Sequence, residues 1–361
     1  VSRRASLAIM VLAVVLAVVA GALVSEEVHA RSVRSVVPVT SVAPGLEESV
    51  PPPPAWQEVT PSTRIAEVGE ESVTVTEPGR VTCVPGGGGC STRSYLLHVY
   101  YPALGSAAQP VVSATPFPAA TPFPLIVFGA GFDLDPSSYL PLIEGWVRGG
   151  YVVAAPRFPL SSAWALQHYN VNLGDRVLAD EFESDLLNQP GDMRAAIQEV
   201  AALDAAANNP LQGLVNTADV GVAGQSDGGD TSLAFAYNSC CRDPAVKAAA
   251  ILSGAEFSPF GGEFFGAPAV PLLVTQGTAD TVNPPSASTQ IFDAAPSPKY
   301  LVLLEGADHL APYTAVDPWE KVVLKSSLAF FASYLKGQPT SGTGVATVGN
   351  VAGVASEQAD P

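Results

Sequence analysis

Apolar residues along this chain fall in short continuous runs, not in alternation with polar ones. The clearest are Leu125-Ile126-Val127-Phe128, Tyr151-Val152-Val153-Ala154-Ala155, Val220-Gly221-Val222-Ala223, Ala248-Ala249-Ala250-Ile251-Leu252, Leu272-Leu273-Val274 and Leu301-Val302-Leu303-Leu304. A strand sends successive side chains to opposite faces, so an unbroken apolar run predicts burial on both. Helix-compatible stretches at 136–148, 192–207, 227–237, 284–294 and 318–335 separate these runs. Segments alternating in this way predict an α/β fold: a mostly parallel central sheet of about eight strands, helices on both faces, and right-handed crossovers. Residues 73–84 and 95–101 predict antiparallel leading strands.

The two ends break this pattern. After Ser2-Arg3-Arg4 the segment 5–24 is almost wholly apolar, and Val28-His29-Ala30 offers a cleavage site. This predicts a signal peptide over 1–30, or an uncleaved anchor, since the run is just long enough to span a bilayer. Residues 31–70, with four consecutive prolines at Pro51 to Pro54, read as a Pro-rich linker. The folded domain is expected over 71–337, and residues 338–361 read as a disordered tail. Ala-Thr-Pro-Phe-Pro occurs at 114–118 and again at 120–124. Proline is barred from a sheet interior, so this segment is expected as a surface excursion.

Composition narrows the function classes. A chain of 361 residues, 47% hydrophobic, can bury the core of one full domain with tails to spare. Its formal net charge of −17 speaks against nucleic acid and anionic membrane surfaces as partners, because both demand a basic face. Membrane contact is expected only through the N-terminal segment, if uncleaved, and the body is expected as a monomer. An export signal places the protein outside the cytoplasm, secreted or at the cell surface, where cysteines oxidise. Cys83 and Cys90 flank a flexible Val84-Pro85 and four-glycine loop and are expected to form a disulfide. Cys240 and Cys241 are adjacent, compatible with either a vicinal disulfide or two reduced thiols. No metal-ligand spacing occurs, and no cofactor is implied.

The candidate chemistry centres on Gly224-Gln225-Ser226-Asp227-Gly228, directly after a strand-like run and before a helix-like one. A serine at the tip of such a turn adopts strained backbone angles, and glycines two positions away on either side relieve the clashes. A serine hydroxyl needs a positioned base, and the base a carboxylate to orient it. Of the four histidines, only His309 follows Ser226; it stands just past the Leu301 run, as Asp280 stands just past the Leu272 run. Each of the three therefore sits beyond the carboxyl end of an expected parallel strand. His168 precedes Ser226 and reads as a loop-packing residue.

From about residue 74 to 337 the chain resembles secreted α/β-hydrolases of the dienelactone hydrolase, chlorophyllase and polyester hydrolase (cutinase-like) group. The matching pieces are Tyr100-Tyr101-Pro102-Ala103, Phe128-Gly129-Ala130-Gly131-Phe132, Asn188-Gln189-Pro190-Gly191-Asp192, the serine elbow, Gly277-Thr278-Ala279-Asp280 and Gly306-Ala307-Asp308-His309. The order Ser, Asp, His is that of the α/β-hydrolase fold. The resemblance implies an exported serine hydrolase cleaving carboxylic esters through Ser226, His309 and Asp280, by way of an acyl-enzyme. Dienelactone hydrolases proper carry a cysteine nucleophile, so Ser226 departs from that activity. Gln225 and Asp227 also depart, since relatives commonly carry His before the serine and an apolar residue after it.

An oxyanion needs preorganised N–H donors. One is expected from the backbone of Asp227, at a helix N-terminus. By resemblance to the polyester hydrolases, the other is the Phe132 N–H, with the Phe132 ring against the acyl group. Loops 157–189 and 255–269 leave strand carboxyl ends, where ligands of open α/β sheets bind. Trp164 and Phe257 in these loops, with Gln225 and Phe132, are the expected contacts for a small or polymeric ester. Two other readings remain at this stage: an exported acyltransferase with the same three residues, and a catalytically idle wall-binding protein.

Overall fold

The computed structural model describes residues 67–266, 270–338 and 344–361. The expected signal or anchor at 1–30 and most of the 31–70 linker lie outside these residues. Ten strands form one mixed sheet in the order β10-β9-β8-β7-β6-β4-β5-β2-β1-β3. They are β1 (Glu67–Val84), β2 (Gly89–Ala103), β3 (Val111–Val112), β4 (Phe123–Gly129), β5 (Val152–Pro156), β6 (Val215–Gln225), β7 (Val246–Leu252), β8 (Leu272–Gly277), β9 (Lys299–Leu304) and β10 (Ala355–Asp360). The six central strands, β5-β4-β6-β7-β8-β9, run parallel; β2 joins β5 and β10 joins β9 antiparallel.

The continuous apolar runs are buried on both faces. Leu125, Val127, Val222, Ile251 and Val274 enter one core, while their neighbours Ile126, Phe128, Ala223, Leu252 and Leu273 enter the other. The first core is covered by α4 (Gln189–Ala205), α5 (Asp227–Tyr237) and α6 (Pro285–Ala294). The second is covered by α1 (Leu140–Arg148), α7 (Ala311–Thr314) and α8 (Pro318–Leu335). There the buried Trp146 indole donates to Ser327 Oγ at 2.8 Å, which removes the cost of burying its N–H. Two shorter helices, α2 (Ala163–His168) and α3 (Arg176–Glu183), lie in the loop between β5 and α4. Among the described residues no helix is long and apolar enough to cross a membrane.

Four expectations change. The sheet has ten strands where about eight were expected, and β1 already begins at Glu67, inside the span read as linker. The C-terminal segment is not wholly a tail: a short helix, α9 (Val345–Val348), leads to β10, which pairs residue for residue with β9. Its side chains alternate between half-buried and exposed, as an edge strand requires, and their low hydrophobicity concealed it. Pro124, expected outside the sheet, is the second residue of β4. Phe123 and Pro124 pair only with β6; pairing with β5 starts at Leu125, so the missing proline N–H leaves no gap in that ladder.

A buried ion network fixes the segment Asn188-Gln189-Pro190-Gly191-Asp192. Arg93 on β2 is 0% exposed and grips Asp192 through Nε (2.6 Å) and Asp185 through two nitrogens (2.9 and 3.0 Å). Arg80 adds a contact to Asp192 at 2.8 Å. Burial alone would weaken the Arg93 guanidinium, but the hydrogen bonds and charges of Asp192 and Asp185 outweigh it and hold it protonated. Gln189 links this segment to its surroundings, donating to Ser161 Oγ and accepting from Thr231 Oγ1 on α5.

Candidate active site

Ser226 stands between β6 and α5 with φ 54° and ψ −124°, a conformation that a non-glycine residue adopts only under constraint. Its N–H donates to Leu252 O at the end of β7, which anchors the turn to the neighbouring strand. A Cβ on Gly224 would lie 2.0 Å from Gly228 O, and a Cβ on Gly228 would lie 2.0 Å from Gly129 O. Only glycine fits at either position.

Asp280 follows β8 and His309 follows β9, both at the carboxyl edge that carries Ser226. His309 Nε2 lies 2.9 Å from Ser226 Oγ, and His309 Nδ1 lies 2.7 Å from Asp280 Oδ2. All three residues are more than nine-tenths buried. Asp280 is held on every side: Oδ1 accepts from the backbone N–H groups of Val282 (2.8 Å) and Asn283 (3.0 Å), and Oδ2 accepts from Gln276 Nε2 (2.9 Å). Gln276 is itself fixed by Ser288 Oγ and Asn283 O. The His309 turn is braced by Asp308, whose Oδ1 accepts from the N–H groups of Leu310 and Ala311. A carboxylate so immobilised accepts a hydrogen bond from Nδ1–H and so leaves the Nε2 lone pair facing the serine hydroxyl.

Around the elbow, two N–H groups lack an acceptor among the described residues. The Asp227 N–H belongs to the first turn of α5, which offers it no intrahelical acceptor. Among the described residues the Phe132 N–H has no acceptor, whereas the neighbouring Gly131 N–H is taken by Tyr139 Oη at 3.1 Å. The Phe132 ring packs with Leu160, Leu166 and Phe182, and Val84 of β1 lies against the same cluster.

The region next to the elbow is acidic but shielded. Burial pushes the Asp227 carboxyl well above the usual carboxylate range, and the charge of Asp230 adds to the shift. Asp230 is pushed up to about 8, first by burial and then by the charge of Glu183, against a hydrogen bond from the Ala255 N–H. Glu183 on α3 is raised to about 9 by burial together with the charges of Asp227 and Asp180. Asp230 and Glu183 therefore hold protons near neutral pH, and the shift of Asp227 runs in the same direction.

The other expected contacts divide. Trp164 is 42% exposed, with the Arg157 guanidinium 4.4 Å from its ring centre and His168 stacked at 4.7 Å. His168 thus has a packing role. Phe257 is half-buried and packs edge-on against Phe260, beside Leu186 and Ala234. Gln225, expected to touch substrate, is 0% exposed: its amide is spent on Tyr139 Oη and the His309 carbonyl. Sequence reasoning missed Tyr139, whose partner Gln225 is 86 positions away, and Gln276 and Asn283, which hold Asp280 from four and three positions away. Gln276, one residue before Gly277-Thr278-Ala279-Asp280, was signalled by a polar side chain in an otherwise apolar strand.

Cys83 and Cys90 form a disulfide between directly opposed residues at the tip of the β1–β2 hairpin. This is not the sheet edge where the preceding chain arrives; the tip reaches toward α3, with Gly86 near Leu178. The sulfurs of Cys240 and Cys241 are also joined. Among the described residues no group of three His, Cys, Asp or Glu has the arrangement to hold a metal ion. Compared with known proteins, the chain matches no family model and no curated protein sequence.

Proposed function

We propose that this chain is an exported serine hydrolase of the α/β-hydrolase fold that cleaves carboxylic esters. The observation that carries the reading is the unbroken line Asp280–His309–Ser226, with contacts of 2.7 and 2.9 Å, ending on a serine held at positive φ. In the acylation step His309 Nε2 takes the Ser226 hydroxyl proton while Oγ bonds to the ester carbonyl carbon. The carbonyl oxygen becomes an alkoxide, received by the N–H groups of Phe132 and Asp227. The alkoxide collapses, the carbon–oxygen bond to the alcohol breaks, and the alcohol leaves with the proton from His309. Water then repeats the sequence: His309 takes its proton, the acyl group passes to the hydroxyl oxygen, and Ser226 recovers its hydrogen. Asp280 orients the ring and stabilises the transient imidazolium.

Extracytoplasmic placement is supported by the Cys83–Cys90 disulfide together with the apolar N-terminal sequence. Turnover of short chromogenic esters tests the reading. Ser226→Ala and His309→Ala are each expected to lower kcat by about 10³-fold or more with folding intact, and the double variant to be little worse. Full activity in either single variant would rule it out.

A further inference from the structure

Beneath the site, two buried side chains connect the loop that presents Phe132 to the turn that presents His309. The Gly131 N–H donates to Tyr139 Oη at 3.1 Å, and Tyr139 Oη donates to Gln225 Oε1 at 2.7 Å. From its other end, Gln225 Nε2 donates to the His309 carbonyl oxygen at 3.0 Å and stands 3.2 Å from His309 Nε2. Tyr139 and Gln225 are both 0% exposed, so water replaces none of these bonds if one is removed. The orientation of the amide is dictated by its neighbours: Tyr139 Oη, accepting from Gly131, turns its hydrogen to an acceptor, and the His309 carbonyl requires a donor. Gly131 makes the contact feasible, since a Cβ there would lie 2.7 Å from Gln225 Oε1.

We infer that Gln225 is a positioning residue that holds the 129–132 loop and the His309 turn in one register, with Tyr139 as its link to the loop. The inference rests on the ester-hydrolase reading of Ser226, His309 and Asp280. The physical reason is geometric. A tetrahedral intermediate needs its oxygen at the Phe132 and Asp227 N–H groups while His309 Nε2 stays within reach of both Ser226 Oγ and the leaving oxygen. The first requirement belongs to a loop after β4 and the second to a turn after β9, and these are strands separated in the sheet by β6, β7 and β8. Ser226 touches both but cannot adjust either. Gln225, the residue before it, spans the two with its oxygen on one side and its nitrogen on the other.

The test is a set of variants read in three ways. Gln225→Met keeps length and volume but removes the amide's hydrogen bonds on both sides; Tyr139→Phe removes the hydroxyl's bonds to Gly131 and Gln225 and leaves the Gln225–His309 bond; Gln225→Glu keeps the acceptor and replaces the donor. Gln225→Met is expected to lower kcat by about 10- to 100-fold with little change in KM. Tyr139→Phe is expected to lower kcat by about tenfold, and the double variant to be no worse than Gln225→Met within about twofold. The acid limb of the pH profile of kcat/KM is expected to move to higher pH by about half a unit in Gln225→Met, further in Gln225→Glu, and not in Tyr139→Phe. The other ionisable groups around His309 are Asp280 at its Nδ1, Asp308 in the same turn, Asp227 beyond Ser226, and Tyr139 and Tyr313 from the helices below. Gln225→Met leaves all of them in place, so the shift reports the lost amide. Amide hydrogen exchange of the segments 129–134 and 305–311, which needs no turnover, is expected to accelerate together by about tenfold or more in Gln225→Met, with the rest of the sheet unchanged. Unchanged exchange in both segments overturns the inference whether or not the protein hydrolyses esters. Wild-type kcat and acid limb in an active Gln225→Met protein overturn it as well. Absence of ester turnover in the wild type, with coupled exchange still present, leaves the bridge standing and removes the ester-hydrolase reading. If Gln225→Met does not fold, Tyr139→Phe decides through the exchange of 129–134.

Discussion

Gly228 on α5 meets Gly129 at the end of β4 so closely that a methyl group at Gly228 would lie 2.0 Å from the Gly129 carbonyl oxygen. The nucleophile turn and the loop that presents Phe132 therefore touch through bare backbone. Gly228→Ala is expected to destabilise the protein by about 1–3 kcal/mol through overpacking. It should also lower kcat more than it raises KM, because the loop must retreat from the site. Thermal melts and steady-state kinetics on one preparation check both; a variant with wild-type melting and kcat would mean the contact yields freely.

The Cys83–Cys90 disulfide closes the tip of the β1–β2 hairpin, seven residues apart, and Val84 beside it packs on the Phe132 cluster. Replacing both cysteines by serine is expected to cost about 2–3 kcal/mol. That corresponds to a fall in melting temperature on the order of 5 °C for a domain of this size. Because the tip supports the Phe132 cluster, KM is expected to change as well, by about two- to threefold. Peptide mapping without reduction checks the linkage, and free thiols at both positions would contradict it.

Arg93 is enclosed with Asp185 and Asp192. Arg93→Met removes the cation the two carboxylates share, leaving Asp185 without an ion-pair partner and Asp192 with Arg80 alone, a change expected to cost about 3–5 kcal/mol. Chemical denaturation measures it; a loss under about 1 kcal/mol would show that water reaches the carboxylates readily.

The buried acids beside the elbow give stability a pH dependence of definite sign. Asp230 is raised to about 8 and Glu183 to about 9 in the folded protein, above the value of about 4 expected for the unfolded chain. A group raised on folding contributes stability that is full below its unfolded value and disappears as pH climbs through its folded value. The melting temperature is therefore expected to fall between about pH 5 and pH 9. Asp230→Asn, which keeps an acceptor for the Ala255 N–H, should flatten that fall between about pH 5 and pH 8. Equal slopes in the variant and the wild type would show that Asp230 is charged in the folded state throughout.

The sequence announced the parallel core because strands buried on both faces carry unbroken apolar runs, and Leu125 to Phe128 or Leu272 to Val274 have no other reading as strands. It also announced Ser226, Asp280 and His309, since each closes such a run in a polar turn. What it concealed depends on contacts between distant residues. Tyr139 and Gln225 are 86 positions apart and meet only when β6 is laid beside β4. β10 has a half-buried alternation built from Ala, Ser, Glu and Gln, too weak to stand out from a polar terminus. Pro124 lies near the start of a strand, where the strand pairs on a single side. Gln225 is read as substrate-facing from its place next to the serine, yet its side chain is 0% exposed and its amide is taken by Tyr139 and the His309 carbonyl, partners that only the fold brings to it.

The most direct measurement is the intact mass of the protein trapped during turnover of an ester that deacylates slowly, followed by mapping of the added mass. The account predicts one acyl group per chain, on the hydroxyl of Ser226, absent in Ser226→Ala and formed at a rate at least about 10³-fold lower in His309→Ala. Rapid turnover by Ser226→Ala, or an acyl group found on any other residue, would contradict it.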